Sequence, residues 1–234
     1  MEYIIVTLIC CIGIILLKFI FNINIKELKH LATNEYLDNI TNTLPDSEQV
    51  CLDMLKNLNN DSVKVEKSEN NSKSSLYLII GNKIIIGNIK DSFTRIQTIA
   101  HECLHSVQDK SLLLFNFIYS NIYILYFLII TVLTIFGIIY NCMIYLLILI
   151  FLSLIYCVVR NYLETDAMIK AKYLAKDYLN NQPVLNNEVI EDLIMQYDSI
   201  NKIGIKATNY SIFLNVALKI LIYCVIAFIR INIL

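Results

Sequence analysis

The sequence is poor in charged residues, glycine and proline. Only 17% of its 234 residues are charged, against about 25% in an average soluble domain, and this argues against a fully soluble protein. Gly 5 and Pro 2 exclude collagen-like and Gly/Pro-rich low-complexity chains. Seven cysteines are too few, and odd in number, for a disulfide scaffold. A formal net charge of -1 provides no basic field, so nucleic acid is not expected as a partner.

The longest uncharged stretch begins near the middle of the chain. From Leu112 to Val159, 48 consecutive residues include no Asp, Glu, Lys or Arg. One bilayer crossing takes about 20 helical residues, so the stretch is long enough for two crossings and a tight turn. We predict transmembrane helices at 118–137 and 141–159, joined by a turn at 137–141 where Gly and Asn interrupt the apolar pattern.

Two further stretches are candidate spans. Residues 3–21 predict a retained transmembrane anchor, because they lack the basic start and small-residue cleavage site of a signal peptide. Residues 211–229 predict a last span, although Lys219 near its middle costs about 2.5–3.5 kcal/mol on insertion scales. Two interpretations of Lys219 stay open. In the first, the helix lies in the membrane interface or Lys219 snorkels to that interface. In the second, Lys219 faces the helix bundle and neutralises a carboxylate.

Basic residues flank the two polar segments, 22–111 and 160–210, at their membrane ends. The flanking residues are Lys18, Lys26, Lys29, Lys110, Arg160 and Lys206. Because Lys and Arg resist translocation, we expect both segments on the cytoplasmic side of a multi-pass protein of the cell membrane. The lipid bilayer is then a partner of this chain.

The segment 22–111 combines helix, loop and hairpin patterns. It begins with helical patterns at 25–40 and 47–59, the second with Ser47 as its N-cap. The stretch 61–75 has almost no large apolar side chains and predicts a mobile loop. Two apolar runs around Gly81-Asn82 predict a β-hairpin at 76–89 with a type II′ turn.

A helix is predicted next, at 92–110, with Ser92 as its cap. Its apolar positions fall on one side with helical spacing, at Phe93, Ile96, Ile99, Cys103 and Val107. In the segment 160–210, residues 161–180 and 187–200 also have helical patterns. The first of these helices continues directly from the preceding span.

Residues 101–105 have the pattern HExxH. On a helix, His101 and His105 lie one turn apart on the same face and can both bind one tetrahedral metal ion. Glu102 is rotated by about 100° and can reach a water molecule on that metal. The pattern predicts a Zn2+ site with Glu102 as general base. The alternative is that both histidines only pack within a helix bundle, and Cys103 is expected in the core.

A catalytic zinc needs a third protein ligand. The only other histidine, His30, is far from the short spacing that metzincins use, so we expect a carboxylate. Glu164 is the candidate, because two membrane crossings return the chain to the side that holds His101 and His105. Asp166 points to a different face, where it either supports a ligand or competes with Glu164.

Two motifs resemble those of a known family. The segment IQTIAHECLHSVQ (96–108) is similar to AAHExGHAxQ, and ETDAMIKA (164–171) is similar to ExDASxxA. The chain thereby resembles the neutral zinc metallopeptidases of the YugP type, small bacterial membrane proteins distantly similar to the membrane CAAX-protease and heat-shock-protease group. The resemblance implies that His101, His105 and Glu164 bind zinc and that Glu102 is the base.

The chain departs from the family pattern at three places. Leu104 stands where relatives usually have Gly, and Met168 stands where they have Ser. In the larger group, an Asp at that second place supports a zinc-bound histidine. The DhYDP feature that precedes HExxH in many members is not visible in 76–91.

Together these observations predict a mainly α-helical integral membrane bundle with a small zincin-like cytoplasmic domain and one β-hairpin. The expected function is a zinc metalloendopeptidase that hydrolyses peptide or protein substrates. The sequence does not assign the oxyanion donor, for which Tyr162 and Tyr173 are candidates. The hairpin 76–89 is either an edge for an extended peptide or an ordinary core hairpin. The alternatives are a non-enzymatic membrane adaptor with a degenerate or structural metal site and, motivated by Lys219, a transporter or channel component.

Overall fold

The computed structural model describes residues 2–22, 24–68, 74–89 and 92–232. This part of the chain is mainly helical with one small sheet, as expected. The elements are α1 (Glu2–Phe21), α2 (Ile25–Leu31), α3 (Glu35–Thr41), α4 (Ser47–Asn57), β1 (Lys64–Lys67), β2 (Leu76–Leu78), β3 (Lys83–Ile86), α5 (Arg95–Val107), α6 (Lys110–Ile135), α7 (Cys142–Asn180) and α8 (Asn187–Asn232).

The chain divides into two compact units. The apolar unit comprises Met1–Ile23, Leu114–Tyr162 and Lys206–Leu234, and the polar unit comprises Asn24–Leu113 and Leu163–Ile205. Four helical stretches are long and apolar enough to cross a membrane, and each overlaps one of the four predicted spans. These stretches are Tyr3–Leu31, Lys110–Ile135, Cys142–Asn180 and Asn187–Asn232. The predicted spans 3–21 and 211–229 fall within them, whereas 118–137 extends two residues past its helix and 141–159 begins one residue before its helix. The chain therefore has the helices expected of a membrane protein.

The predicted break between the two central spans is confirmed. Helix α6 ends at Ile135 and α7 begins at Cys142. Gly137 adopts φ +71° between them, a conformation that is costly for residues with a Cβ. The side chain of Asn141 accepts a hydrogen bond from the Ile144 N–H at 3.4 Å. Helix α7 then continues to Asn180, as its sequence predicted.

The last two predicted helices form one continuous helix, α8. No proline interrupts residues 201–210, so nothing in the backbone ends the helix there. Lys219 Nζ lies 5.4 Å from the ring centroid of Tyr123, which is buried in the core of the apolar unit. Lys219 also donates to the amide oxygen of Asn215. Among the described residues, the partners of Lys219 are thus an aromatic ring and an amide. The interpretation in which Lys219 faces the bundle expected a carboxylate there.

The three strands form one sheet in the order β1-β3-β2. The predicted hairpin is present because β2 pairs antiparallel with β3. The type II′ turn centred on Gly81-Asn82 is wrong. The Asn82 N–H bonds the Ile79 carbonyl at 3.2 Å, so the turn is centred one residue earlier and Gly81, with φ +91°, is its third residue, where a type II turn needs a positive φ.

The prediction of a mobile loop over 61–75 is wrong for Lys64–Lys67. These residues form β1, which pairs parallel with β3, and Lys83 Nζ lies 2.7 Å from Glu66 Oε2 across that pair. Pairing with a neighbouring strand overrides the polar composition, which by itself has little strand character. Residues 69–73 lie outside the described part of the chain.

Several helix starts differ from the predictions. The pattern at 25–40 is two helices, because Asn34 caps α3 by accepting from the Leu37 N–H at 3.2 Å. The N-cap of α4 is Asp46 instead of Ser47, and it accepts from the Gln49 N–H at 3.0 Å. Helix α5 begins at Arg95, so Thr94 holds the N-cap position, without a capping bond from its side chain. Ser92 lies two residues earlier, and its Oγ accepts from the Thr94 N–H at 3.3 Å.

One face of α5 forms part of the core of the polar unit. Phe93, just before the helix, and Ile96, Ile99 and Cys103 within it have no exposed surface, as predicted. Val107 is an exception to the predicted apolar face because 44% of its surface is exposed. It is the last residue of α5, where the helical periodicity ends.

Candidate metal centre

The structure brings the three predicted ligands together in the polar unit. His101 and His105 lie one turn apart on α5, and their Nε2 atoms are 3.1 Å apart. Glu164 Oε2, on α7, lies 3.5 Å from His101 Nε2 and 3.8 Å from His105 Nε2. All three side chains are largely buried. A residue from a distant part of the sequence thus completes the pair on α5.

These distances fit the dimensions of a zinc site. Nitrogen and oxygen ligands about 2.0–2.1 Å from a tetrahedral zinc lie about 3.4 Å from one another. The three measured separations run from 3.1 to 3.8 Å. Two imidazoles and one carboxylate are a donor set typical of catalytic zinc, which leaves the fourth position for water.

An amide side chain links the helices that carry the ligands. Asn201 on α8 accepts from Gln97 Nε2 at 2.5 Å through its side-chain oxygen. Its Nδ2 donates to the Met168 carbonyl at 2.9 Å. Asn201 therefore connects α5, which holds the histidines, with the turn of α7 that follows Glu164. Both Asn201 and Gln97 are largely buried, so these bonds are shielded from water.

Gln108 is a site residue that the sequence reasoning missed. Its Oε1 lies 2.8 Å from His105 Nδ1. Its Nε2 donates to the Leu163 carbonyl at 2.9 Å and to Asp166 Oδ2 at 3.0 Å. Two signals could have identified it. Gln108 follows His105 by three positions, which on a helix are neighbours, and it matches the Gln of the quoted family motif.

Asp166 supports the ligand cluster and is not a member of it. Its carboxylate accepts from Gln108 and lies 2.6 Å from Lys170 Nζ. Burial raises the pKa of Asp166, but the bonds and charges of Lys170 and Gln108 outweigh this effect and lower the pKa below its ordinary value. Asp166 is therefore a charged acceptor. Of the two roles predicted for it, the structure favours support.

Glu102, the predicted base, is only 6% exposed. Its Oε2 accepts a hydrogen bond from the backbone N–H of Tyr77 in β2 at 2.7 Å. Burial raises the pKa of Glu102, although the neighbouring His101 and His105 and the Tyr77 N–H act in the opposite direction. The sheet thus fixes one oxygen of this carboxylate, a contact that the helical pattern alone does not indicate.

The pKa of His105 is raised above its ordinary value. Burial by itself lowers this pKa, because it disfavours the charged imidazolium. The adjacent Glu164 carboxylate has the opposite effect, and Gln108 and Glu102 add to it. In the metal-free protein the cluster therefore favours a proton on His105, which a metal ion must displace.

The structure changes the expectation for the hairpin. The Tyr77 N–H at the middle of β2 is bonded to Glu102 and is not available to an incoming strand. In a strand of three residues few other N–H groups point outward, because the N–H groups of alternate residues bond to β3. Of the two alternatives for this hairpin, an edge for an extended peptide and an ordinary core element, the structure favours the core element.

Neither predicted oxyanion donor is buried. Tyr162 is 61% exposed and Tyr173 is 58% exposed, and the ring of Tyr173 lies under Lys172 Nζ, 5.1 Å from the ring centroid. An oxyanion donor is most effective where water is excluded. The assignment of an oxyanion donor to either tyrosine thus stays a prediction that the burial does not favour.

Comparison of the chain with protein-family models, with curated proteins and with solved structures finds no match. The resemblance to the YugP-type metallopeptidases therefore rests on the two motifs quoted above. The function has to be inferred from the chemistry of the site itself.

Proposed function

We propose that this protein is a membrane-bound, zinc-dependent peptidase. The observation that carries the proposal is the convergence of His101, His105 and Glu164, whose ligand atoms all lie within 4.8 Å of one another. Glu102 directly follows the first ligand in the sequence and is buried, which shields its carboxylate from bulk water. The order of ligands and base is that of zincins, and within them of gluzincins, whose third ligand is a glutamate.

The chain's own residues supply binding and proton transfer. A zinc ion held by the three ligands would polarise the substrate carbonyl and lower the pKa of a bound water to about 7. Glu102 accepts the proton of the attacking water and passes it to the leaving amine. Because burial raises the pKa of Glu102, its protonated and charged forms are closer in free energy, which favours both steps. The Tyr77 N–H holds the carboxylate in place meanwhile.

We place the site on the cytoplasmic side of the membrane. The support is the distribution of basic residues. Apart from Arg230, which follows the last span, those next to the spans flank the polar segments that contain α5 and the ligand-bearing part of α7. The four apolar helical stretches support attachment to the bilayer. Membership of the YugP-type family is part of the same proposal and is supported by the two motifs that contain the ligands.

Replacing Glu102 with Gln tests the proposal. The variant should bind zinc as the parent does, because Glu102 is not a ligand, and should cleave a fluorescently labelled denatured protein about 10²–10⁴-fold more slowly. Glu188→Gln is the matched control, since Glu188 is exposed on α8, and should leave cleavage unchanged. Cleavage by Glu102→Gln at the parental rate would show that another residue is the base. A parent that binds zinc but cleaves no protein would remove the peptidase function.

A second function is favoured by the contact between Glu102 and β2. A carboxylate that is buried and bonded to a backbone N–H can serve to join helix and sheet, and Leu104 stands where the peptidase family usually has Gly. The protein would then be a membrane adaptor with a structural metal site. In that case Glu102→Ala, which cannot accept from the Tyr77 N–H, should lower the melting temperature, and bound zinc should not carry an exchangeable water.

A further inference from the structure

We infer that Gln108 is a positioning residue, which fixes the proton of neutral His105 on Nδ1 and so directs the Nε2 lone pair of His105 into the ligand cluster. The inference deepens the proposed metal site and rests on it for its function. The orientation of the Gln108 amide can nevertheless be tested without any metal. The evidence lies in four hydrogen-bonded groups of the polar unit.

The partners of Gln108 determine which way its amide faces. One end of the amide is next to the Leu163 carbonyl, at 2.9 Å, and Asp166 Oδ2, at 3.0 Å. Both groups only accept hydrogen bonds, since Asp166 also forms an ion pair with Lys170 and is charged. The amide must present its NH2 group to them. Rotating the amide by 180° would place its oxygen against two acceptors, so the reverse orientation is excluded.

The tautomer of His105 follows from this orientation. The Gln108 Oε1 atom faces His105 Nδ1 at 2.8 Å, and an amide oxygen can only accept. Nδ1 must therefore carry the hydrogen. In a neutral imidazole the other nitrogen, Nε2, is then bare and can bind a metal ion. The Glu164 carboxylate, 3.8 Å from His105 Nε2, favours a proton on Nε2 instead, so without Gln108 the Nδ1–H tautomer loses its partner.

In the metal-free protein, neutral His101 carries its proton on the other ring nitrogen, Nε2. Its Nε2 lies 3.1 Å from His105 Nε2, and two bare nitrogens at this distance repel each other. Because His105 Nε2 has no hydrogen when the ring is neutral, His101 Nε2 must donate. Metal binding then requires neutral His101 to move its proton to Nδ1, whereas neutral His105 is already in the binding tautomer.

Gln108 also holds the third ligand's helix. It is the C-cap residue directly after the last residue of α5, with extended backbone at φ -63° and ψ 164°. Its side chain reaches Leu163 and Asp166, the residues on either side of the turn that includes Glu164. One amide thus links the end of the histidine helix to the stretch of α7 that bears the carboxylate ligand. Loss of Gln108 should loosen both connections.

Nitrogen-15 NMR of the metal-free protein, with labelled histidine, tests the tautomer directly. At a pH high enough for both rings to be neutral, long-range proton–nitrogen correlations should show His105 with its proton on Nδ1 and His101 with its proton on Nε2. Zinc should shift the His101 proton and leave that of His105 in place. A spectrum that shows metal-free His105 protonated on Nε2 would overturn the inference.

Zinc affinity tests the consequence. Gln108→Met preserves length but removes both hydrogen-bonding groups, and should weaken zinc binding about 10–100-fold, the usual effect of losing a partner of a metal-bound histidine. Gln49→Met is the matched control, because Gln49 is an exposed glutamine on α4, and should bind zinc as the parent does. Equal affinity of the parent and Gln108→Met would contradict the positioning role.

The two proposals fail in distinguishable ways. If the parent binds no zinc, the proposed function fails, while the NMR spectrum of the metal-free protein still decides the tautomer of His105. If the parent binds zinc and His105 is found as the Nε2–H tautomer, only the role of Gln108 fails. Should Gln108→Met not fold, Asp166→Ala removes one of the two acceptors that orient the amide. It should bind zinc more weakly than the parent, and parental affinity would count against the inference.

Discussion

Glu164 Oε2 lies 3.5 Å from His101 Nε2, although the 48 uncharged residues from Leu112 to Val159 separate them in the sequence. As one straight helix, that stretch would extend about 70 Å. The break between α6 and α7 at 136–141 allows the chain to return. The proximity of these two residues thus depends on a helical hairpin as well as on the two motifs.

The N-cap of α4 provides a prediction about stability and pH. Asp46 accepts from the Gln49 N–H and forms an ion pair with Lys67 at 3.1 Å. Asp46→Ala should lower the free energy of unfolding by about 0.5–2 kcal/mol, because the Gln49 N–H at the start of the helix loses its acceptor. Asp46→Asn keeps the accepting oxygen and should cost less. Unfolding of the detergent-solubilised protein measures both.

The pH dependence of this pair follows from the pKa of Asp46. The Gln49 N–H and the Lys67 ammonium lower that pKa below 3.8. A carboxyl with a lowered pKa stabilises the folded state above its unfolded pKa, and the effect is lost as the pH falls through the folded value. The parent should be more stable than Asp46→Asn at neutral pH and equal to it well below pH 3.8. A difference that does not change with pH would contradict this account.

Gly137 provides a prediction about the turn between α6 and α7. Its φ of +71° is in the left-handed region, and an added Cβ would lie 2.8 Å from the guanidinium Nε of Arg230. Gly137→Ala should therefore destabilise the protein by about 1–2 kcal/mol for the backbone alone, with a further cost for moving Arg230. Gly13→Ala in α1 is the control, since a Cβ there has no neighbour within 4 Å. Equal melting temperatures for the two variants would show that the turn tolerates a side chain.

The buried thiols of the polar unit should be unreactive in the native state. Cys103 Sγ lies 3.6 Å from Cys51 Sγ, and neither residue has exposed surface. The hydrogen bond with Cys51 and burial raise the pKa of Cys103, so little reactive thiolate forms. Maleimide should label Cys103 only after denaturation, whereas Thr43→Cys, at an exposed position, should be labelled at once. Rapid native labelling of Cys103 would show that α5 is not packed as described.

The parts of the fold that were predictable have strong local signals. The HExxH spacing places His101 and His105 on one face whatever surrounds the helix. The two central apolar helices follow from one long uncharged stretch, and the break between them follows from Gly137 and Asn141. Glu164 could be selected because the order of spans returns it to the correct side.

The rest depends on tertiary contacts that local patterns do not contain. Strand β1 has a polar sequence and exists because β3 is available as a partner. The bond between Glu102 and Tyr77 joins a helix to a strand, and neither element's periodicity specifies it. Gln108 could be noticed beside His105, but its bonds to Leu163 and Asp166 depend on how α7 packs.

Zinc content is the most direct test of the central claim, that His101, His105 and Glu164 bind one metal ion. Elemental analysis and competition titration should find about one tightly bound zinc in the purified parent and much weaker binding in Glu164→Ala. Glu188→Ala, at an exposed position on α8, should match the parent. A parent without zinc affinity, or Glu164→Ala with parental affinity, would contradict the account.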